Sequence, residues 1–188
     1  MLGGMARTRT RDEILAAAAE LFSRAGFKGT SLQDIAAGVG CSKATLLYHF
    51  DSKEAILAAL VAPAAAELAE LTARLETLDG EAAREAAIDG FVDLVLRYRR
   101  EAGLIYYGSL DVLWTPAFAD AQPMIEALCT AFAAGSAEPA DHIAAEVLLA
   151  GICSVAIDKP DDETLRSALI AVAQRALLTP RSRLRSKD

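Results

Sequence analysis

Two short helical patterns that meet at a glycine constrain the fold of this chain more than any other feature. Ser31 can cap the first pattern, because its hydroxyl can accept from a backbone N–H one turn on. Asp34 places a carboxylate in the first turn, where the helix dipole favours it. Gly40 can end the helix in the left-handed conformation without a Cβ penalty. One buried face is predicted by the i, i+3, i+4, i+7 spacing of Leu32, Ile35, Ala36 and Val39.

A second helical pattern follows, with Ser42 as its cap. Leu46 and Phe50 are an i, i+4 pair, which predicts that both face inward. The other side carries a cation, a small residue and an aromatic hydroxyl: Lys43, Ala44 and Tyr48. Lys and Tyr can donate to phosphates or bases, and a small residue lets the backbone approach a base edge. The pair is therefore either a DNA-reading unit or an ordinary helical hairpin with a solvated face.

The composition predicts an all-α chain with about nine helices. The 188 residues are 53% hydrophobic and rich in Ala, which is the best helix former, and no stretch alternates β-branched residues as a strand would. The first helix is predicted from about Thr10, where Thr10 and Glu13 fit a capping box, to Gly26, after a mobile tail at residues 1–9. A long helix from about Asp51 contains Pro63, which predicts a kink or a break.

The net charge of −7 is unevenly divided along the chain. Residues 1–53 hold 7 Lys and Arg against 5 Asp and Glu, whereas residues 54–188 hold 12 against 21. A basic end on an acidic body is expected if only that end meets phosphates.

The sequence also makes several classes of function and location unexpected. Three widely spaced cysteines indicate reduced thiols in a reducing compartment. We expect no apolar stretch near the ~20 residues that cross a bilayer and no signal peptide, hence a cytoplasmic protein without a membrane partner.

His142 and Glu146 have i, i+4 spacing, but two ligands are too few for a metal site. Neither a metal nor another cofactor is expected, and no hydrolase, P-loop or dinucleotide motif predicts an enzyme.

The run from Ile14 to Leu57 resembles the N-terminal domain of TetR-family transcriptional repressors. It contains AAxxLFxxxGFxxTS followed by IAxxxGxSKxTLxYHFxSKExxL, so several fixed spacings match at once. The resemblance implies a three-helix, helix-turn-helix DNA-binding domain at residues 1–55. It further implies a helical bundle for effector binding and dimerisation at 56–178. The charged composition of residues 179–188 predicts a disordered basic tail after that bundle.

The same resemblance implies DNA contacts for particular residues. Thr30 or Ser31 would bond a phosphate at the start of the second helix. The residues that would face the major groove are Ser42, Lys43, Ala44 and Thr45. The residues that would hold flanking phosphates are Tyr48, His49 and Lys53. Leu47 stands where many family members carry a tyrosine that contacts phosphate, so here it either touches a thymine methyl or packs locally.

Aromatic residues concentrate in the middle of the body. Rings and a methionine with few polar groups suit a pocket for a small apolar effector, and the alternative is that they fill a helical core. The residues predicted to bind the effector are Phe91, Tyr106, Tyr107, Trp114, Phe118 and Met124.

The last two helical patterns predict a dimer interface, because two antiparallel copies would form a four-helix bundle of the size typical of obligate dimers. The interface residues are Val147, Leu148, Gly151, Ile152, Leu165, Leu169 and Val172. Together with the resemblance, this predicts a homodimeric repressor that binds a near-palindromic double-stranded DNA operator and is released by an effector. The alternative is a DNA-binding regulator without a small ligand, controlled by a protein partner.

Overall fold

A computed structural model describes residues 2–107, 113, 115–159 and 163–177, with side chains from Thr10 onward. Across these ranges the chain is all-α, which confirms the predicted class. The elements are α1 (Leu2–Gly29), α2 (Leu32–Val39), α3 (Lys43–His49), α4 (Lys53–Leu75), α5 (Gly80–Arg97), α6 (Arg99–Tyr106), a 3-10 turn (Pro116–Phe118), α7 (Ala121–Phe132), α8 (Pro139–Asp158) and α9 (Leu165–Leu177).

The chain forms two compact units. The N-terminal unit comprises residues 1–66 and 100–122, and the C-terminal unit comprises 67–99 and 123–188. The boundary at residues 66 and 67 falls inside α4. The functional domain limits at residues 55 and 178 stay a prediction.

The N-terminal unit packs α1, α2, α3 and the first turns of α4 around one apolar core. Ile14, Ile35, Leu46 and Ile56 contribute one fully buried side chain from each of these helices. Leu104 and Phe118, from later in the chain, join the same cluster and are also buried. Burying a side chain of this size contributes about 1.5–3 kcal/mol, so this core fixes which side of α3 faces inward.

The predicted start of the first helix was wrong. α1 begins at Leu2, so Thr10 is not its cap and residues 2–9 are helical. No Gly or Pro lies between Met5 and Thr10, so nothing there interrupts the helical hydrogen bonds. The predicted end at Gly26 is confirmed by its non-helical φ of 75° and ψ of 163°, after which one short turn follows. α4 is continuous across Pro63, so the break that was one of the two predicted outcomes does not occur, whereas a kink there stays a prediction.

In the C-terminal unit, α5 packs against α8 and α9. Arg166 of α9 donates through Nε and Nη2 to the two carboxylate oxygens of Asp93 in α5, at 2.6 and 2.9 Å. This hydrogen bonding holds the pKa of Asp93 below its ordinary value. Gly90 of α5 lies so close to α4 that a Cβ atom there would meet Leu71 Cδ1 at 2.5 Å. The helices of this unit are therefore joined by a small-residue contact and a bidentate ion pair.

Two helices of the described ranges are long and apolar enough, by length and composition, to cross a membrane. They are Lys53–Leu75 and Pro139–Asp158, each with a mean hydropathy of 1.6. The expectation that no stretch approaches this length was therefore wrong. Both helices are rich in alanine, which raises the mean hydropathy and is also the best helix former.

Candidate nucleic-acid interface

Both ends of α2 lie where the sequence predicts them. Asp34 N–H donates to Ser31 Oγ at 3.2 Å, and Ser31 N–H donates to Asp34 Oδ2 at 2.8 Å, which completes a capping box. The Ser31 hydroxyl also donates to that carboxylate, and these bonds lower the pKa of Asp34 from its ordinary value. At the other end Gly40 is left-handed, with φ of 74°. The turn into α3 is thus set by local contacts.

α3 begins at a second cap. Ser42 Oγ accepts from Thr45 N–H at 3.0 Å, and the two hydroxyl oxygens lie 2.9 Å apart. Leu46 is fully buried and Phe50 is 6% exposed, so the predicted inward pair is confirmed. The Arg11 guanidinium of α1 lies 4.9 Å from the centre of the Phe50 ring. One side of α3 is therefore held against the core.

The opposite side of α3 carries four exposed residues, Lys43, Ala44, Leu47 and Tyr48, which we call the α3 face. Leu47 is 40% exposed, as its predicted outward direction requires, and Tyr48 is 66% exposed. The half-buried ring of His49 lies edge-on to that of Tyr48, with centroids 5.3 Å apart. An α-helix with its side chains is about 10–12 Å across, and the major groove of B-DNA is about 12 Å wide. The α3 face therefore has the shape and chemistry to enter that groove.

Two residues with implied phosphate contacts lie differently from expectation. Thr30 is 3% exposed, and its hydroxyl donates to the Gly26 carbonyl oxygen at 2.9 Å. Lys53 Nζ donates to the carbonyl oxygens of Phe27 and Thr30, at 2.6 and 2.8 Å. A phosphate contact through the Thr30 side chain is therefore wrong, and Ser31 is the exposed member of that pair. Gly26 ends the regular part of α1 and leaves carbonyl groups that need hydrogen-bond donors. This is the one feature of the sequence that indicates an inward direction for the Lys53 side chain.

The predicted effector residues are divided between the two units. Phe91 and Phe118 are core residues, and Phe91 packs edge-on to Phe132 at 6.1 Å between centroids. The Tyr106 and Tyr107 rings are 5.4 Å apart, with Tyr107 57% exposed. Trp114 lies outside the described residues. Met124 is half-buried in the C-terminal unit.

A cavity of about 260 Å³ lies in the N-terminal unit. Its lining is mostly aliphatic and contains none of the predicted effector residues: Leu15, Ala16, Ala19, Leu60, Arg100, Glu101 and Leu104. The effector-binding set stays a prediction.

The predicted dimer residues divide into an inner and an outer group. The inner group is Ile152, Leu165 and Leu169, which are 4%, 8% and 7% exposed and belong to the core of the C-terminal unit. Placing these three at a surface between copies was therefore wrong. The sequence could not separate them, because both helices are apolar on more than one side. Leu148 is half-buried. The outer group consists of exposed residues and includes Ile143 of the same predicted helix face. We call it the α8/α9 strip, and its members are Ile143, Val147, Gly151 and Val172.

Chemically reactive groups are few in the described ranges. No cluster of three or more His, Cys, Asp or Glu residues there could hold a metal ion. His142 Nε2 lies 2.7 Å from the Ser136 carbonyl oxygen. Burial raises the pKa of the Cys153 thiol to about 11, which keeps it protonated at neutral pH.

Two capped helices on a shared core, followed by a helical second unit, define an all-α helix-turn-helix protein. Residues 14–60 match the sequence family described as bacterial regulatory proteins, tetR family. Residues 14–60 therefore form a domain of the tetR type, as the sequence motifs predict.

A curated relative matches over part of this chain, and solved structures share its fold. The biofilm operon icaADBC HTH-type negative transcriptional regulator IcaR of Staphylococcus aureus is 52% identical over 46 residues, which are 24% of this chain and 25% of that protein. The match thus spans about a quarter of the length of these curated relatives. A TetR-family regulator from Bordetella parapertussis has a TM-score of 0.67 at 22% identity, covering 94% of this chain and 98% of that one. The ketosteroid transcriptional regulator KstR2 of Mycobacterium tuberculosis has a TM-score of 0.65 at 15% identity, covering 89% and 92%. These two likenesses show the shared fold.

Proposed function

We propose that this protein is a cytoplasmic, homodimeric transcriptional repressor that binds a near-palindromic DNA operator. The observation that carries the proposal is the α3 face, where Lys43, Ala44 and Tyr48 are exposed while Leu46 anchors the helix from behind. Ser42 and Thr45, at the start of the same helix, are also exposed and can donate to phosphates or bases. Repression is proposed because IcaR, which shares this domain, is a negative transcriptional regulator.

Dimerisation is supported by the α8/α9 strip. Val147 is 64% exposed and Ile143 is 61% exposed, both on α8, and Val172 of α9 is 49% exposed. Apolar side chains of this size gain from leaving water, and a twofold axis would bring the same strip of two copies together. Such a dimer presents its two α3 helices to two half-sites of the DNA. The half-sites lie one helical turn apart, about 34–36 Å, or a multiple of that distance.

Release by a small apolar effector is the second part of the proposal. It is supported by the aromatic residues of the body, of which Tyr106 and Tyr107 are adjacent and incompletely buried. An effector changes operator occupancy only by its differential affinity for the two states of the dimer. A screen of small apolar molecules for thermal stabilisation, followed by operator release, tests this part. Stabilisation by none of them, with release by a protein partner, would favour the alternative regulator.

The DNA-binding proposal is tested with the DNA flanking the gene of this protein, searched for an inverted repeat and used as a labelled duplex. Lys43→Ala should weaken operator binding by about 10-fold, since a good base or phosphate contact contributes about 1–3 kcal/mol. Tyr48→Phe removes one hydroxyl and should also weaken binding. Fluorescence anisotropy measures both affinities.

The matched control for Lys43→Ala is Arg74→Ala, which removes the same charge from an exposed position in the C-terminal unit. The dimer and the melting temperature should be unchanged in all three variants. Equal affinity of the Lys43→Ala variant and the parent protein would rule out the α3 face as the DNA-binding surface.

Operator affinity should also fall steeply with salt. Each phosphate that the protein neutralises contributes about −0.9 to the slope of log affinity against log salt concentration. Two contacts from each subunit would therefore give a slope of about −3.6. Titration at several salt concentrations measures it, and a flat response would contradict binding through the N-terminal unit, whose first 53 residues carry the excess of cations.

A further inference from the structure

We propose that Lys53 acts in operator binding as a positioning residue, which fixes the helix-turn-helix to the start of α4, more than as a phosphate contact. The inference rests on the proposed DNA-binding function and assigns Lys53 a role other than the one that the family resemblance implies.

The geometry directs the Lys53 ammonium into the N-terminal unit. Nζ donates to the carbonyl oxygen of Phe27 at 2.6 Å and to that of Thr30 at 2.8 Å. It also lies 4.3 Å from the centre of the Phe27 ring. An ammonium group has three donors, and two of them are engaged with backbone carbonyls. The cation–π contact with the Phe27 ring stabilises the same position.

The carbonyls that Lys53 binds need a donor at this place. Gly26 interrupts α1, and Phe27 begins the short turn that ends before α2. Carbonyl groups at the C-terminal end of a helix lack intrahelical partners and carry partial negative charge. Thr30 donates through its hydroxyl to the Gly26 carbonyl and through its N–H, at 3.4 Å, to the Phe27 carbonyl. Lys53 adds a shorter hydrogen bond to Phe27 and supplies a donor to Thr30. The ammonium is thus bound where a cation is most favourable.

The position of Lys53 in the chain makes this contact relevant to DNA binding. Lys53 is the first residue of α4 and follows the end of α3 by four residues, whereas Thr30 directly precedes the cap of α2. The side chain therefore joins the two ends of the helix-turn-helix, across 23 and 26 residues of sequence. The start of α2 and the end of α3 are held in one arrangement by this contact. Losing it would let the α3 face shift relative to the exposed start of α2.

Lys53→Met tests the inference, because methionine keeps an apolar stem against Phe27 but has no donor. We expect operator affinity to fall by about 10-fold, with the slope of log affinity against log salt concentration unchanged. Lys53→Arg should restore affinity to within about twofold, since a guanidinium also offers several donors. Both variants are measured as full-length dimers, at a temperature where circular dichroism shows them fully folded.

Four outcomes would overturn the inference. Unchanged affinity in the Lys53→Met variant would show that the contact does not position the α3 face. A slope that becomes shallower by about 0.9 for each subunit would show a direct phosphate contact instead. A lowered melting temperature with parental affinity in the folded protein would show a role in stability alone. Failure of Lys53→Arg to restore affinity would contradict the hydrogen-bonding basis. If the parent protein itself binds no operator, the proposed function fails before these comparisons are made.

Discussion

Val147→Glu is expected to convert the dimer into monomers and to weaken operator binding by about 100-fold or more, because linked half-sites gain about 10²–10⁴ in affinity over separate ones. Val147 is 64% exposed on α8, so the variant monomer should fold normally. In the proposed dimer the same side chain enters an apolar contact, where an unpaired carboxylate is strongly unfavourable. Val172→Glu on α9 should have the same effect. Sedimentation velocity measures the oligomeric state, and anisotropy measures the affinity.

Leu169→Glu tests whether a charge in the core of the C-terminal unit has a different effect from a charge on the α8/α9 strip. Leu169 is 7% exposed and lies within the C-terminal unit, so a charge there should unfold that unit instead of merely separating two folded copies. Circular dichroism should therefore show a lowered melting temperature for Leu169→Glu and a parental one for the Val147→Glu monomer. A Val147→Glu protein that remains a stable dimer would show that the α8/α9 strip is not the interface.

Leu46→Ala is expected to lower the free energy of unfolding of the N-terminal unit by about 2–5 kcal/mol, the usual cost of removing a buried leucine. Leu46 is fully buried beneath α3, so the loss leaves a cavity behind the α3 face. The neighbouring Leu47→Ala is the matched control, because Leu47 is 40% exposed and the change should stay within about 0.5 kcal/mol. Hydrogen exchange of the α3 amides measures the stability of this unit separately from that of the other.

Equal effects of the two leucine substitutions would contradict the orientation of α3. Leu47→Ala also probes recognition, since Leu47 belongs to the α3 face. If its side chain touches a thymine methyl group, affinity should fall on the natural operator but not on one in which uracil replaces that thymine. A loss of affinity without loss of stability would therefore distinguish base contact from local packing.

Much of the candidate DNA-binding site follows from the sequence because its determinants are local. A cap forms between a serine and an N–H three residues on, as Ser31 does with Asp34 and Ser42 with Thr45. A glycine ends a helix through its own backbone freedom, as Gly40 does. The inward and outward sides of α3 follow from helical periodicity alone once Leu46 is assigned to the core. For this reason the two serine caps, the turn at Gly40 and the α3 face all lie where the residue spacing predicts them.

Other features depend on neighbours that are distant in the sequence, and only the tertiary structure decides them. Lys53 and Thr30 turn inward because the carbonyls at the Gly26 interruption accept their hydrogen bonds, and nothing local to Lys53 indicates that partner. Leu169 is buried whereas Val172 is exposed because α5 covers one side of α9 and leaves the other open. Helical periodicity shows that a helix has an apolar side, but when two sides are apolar only the packing of the folded chain selects which one becomes the core.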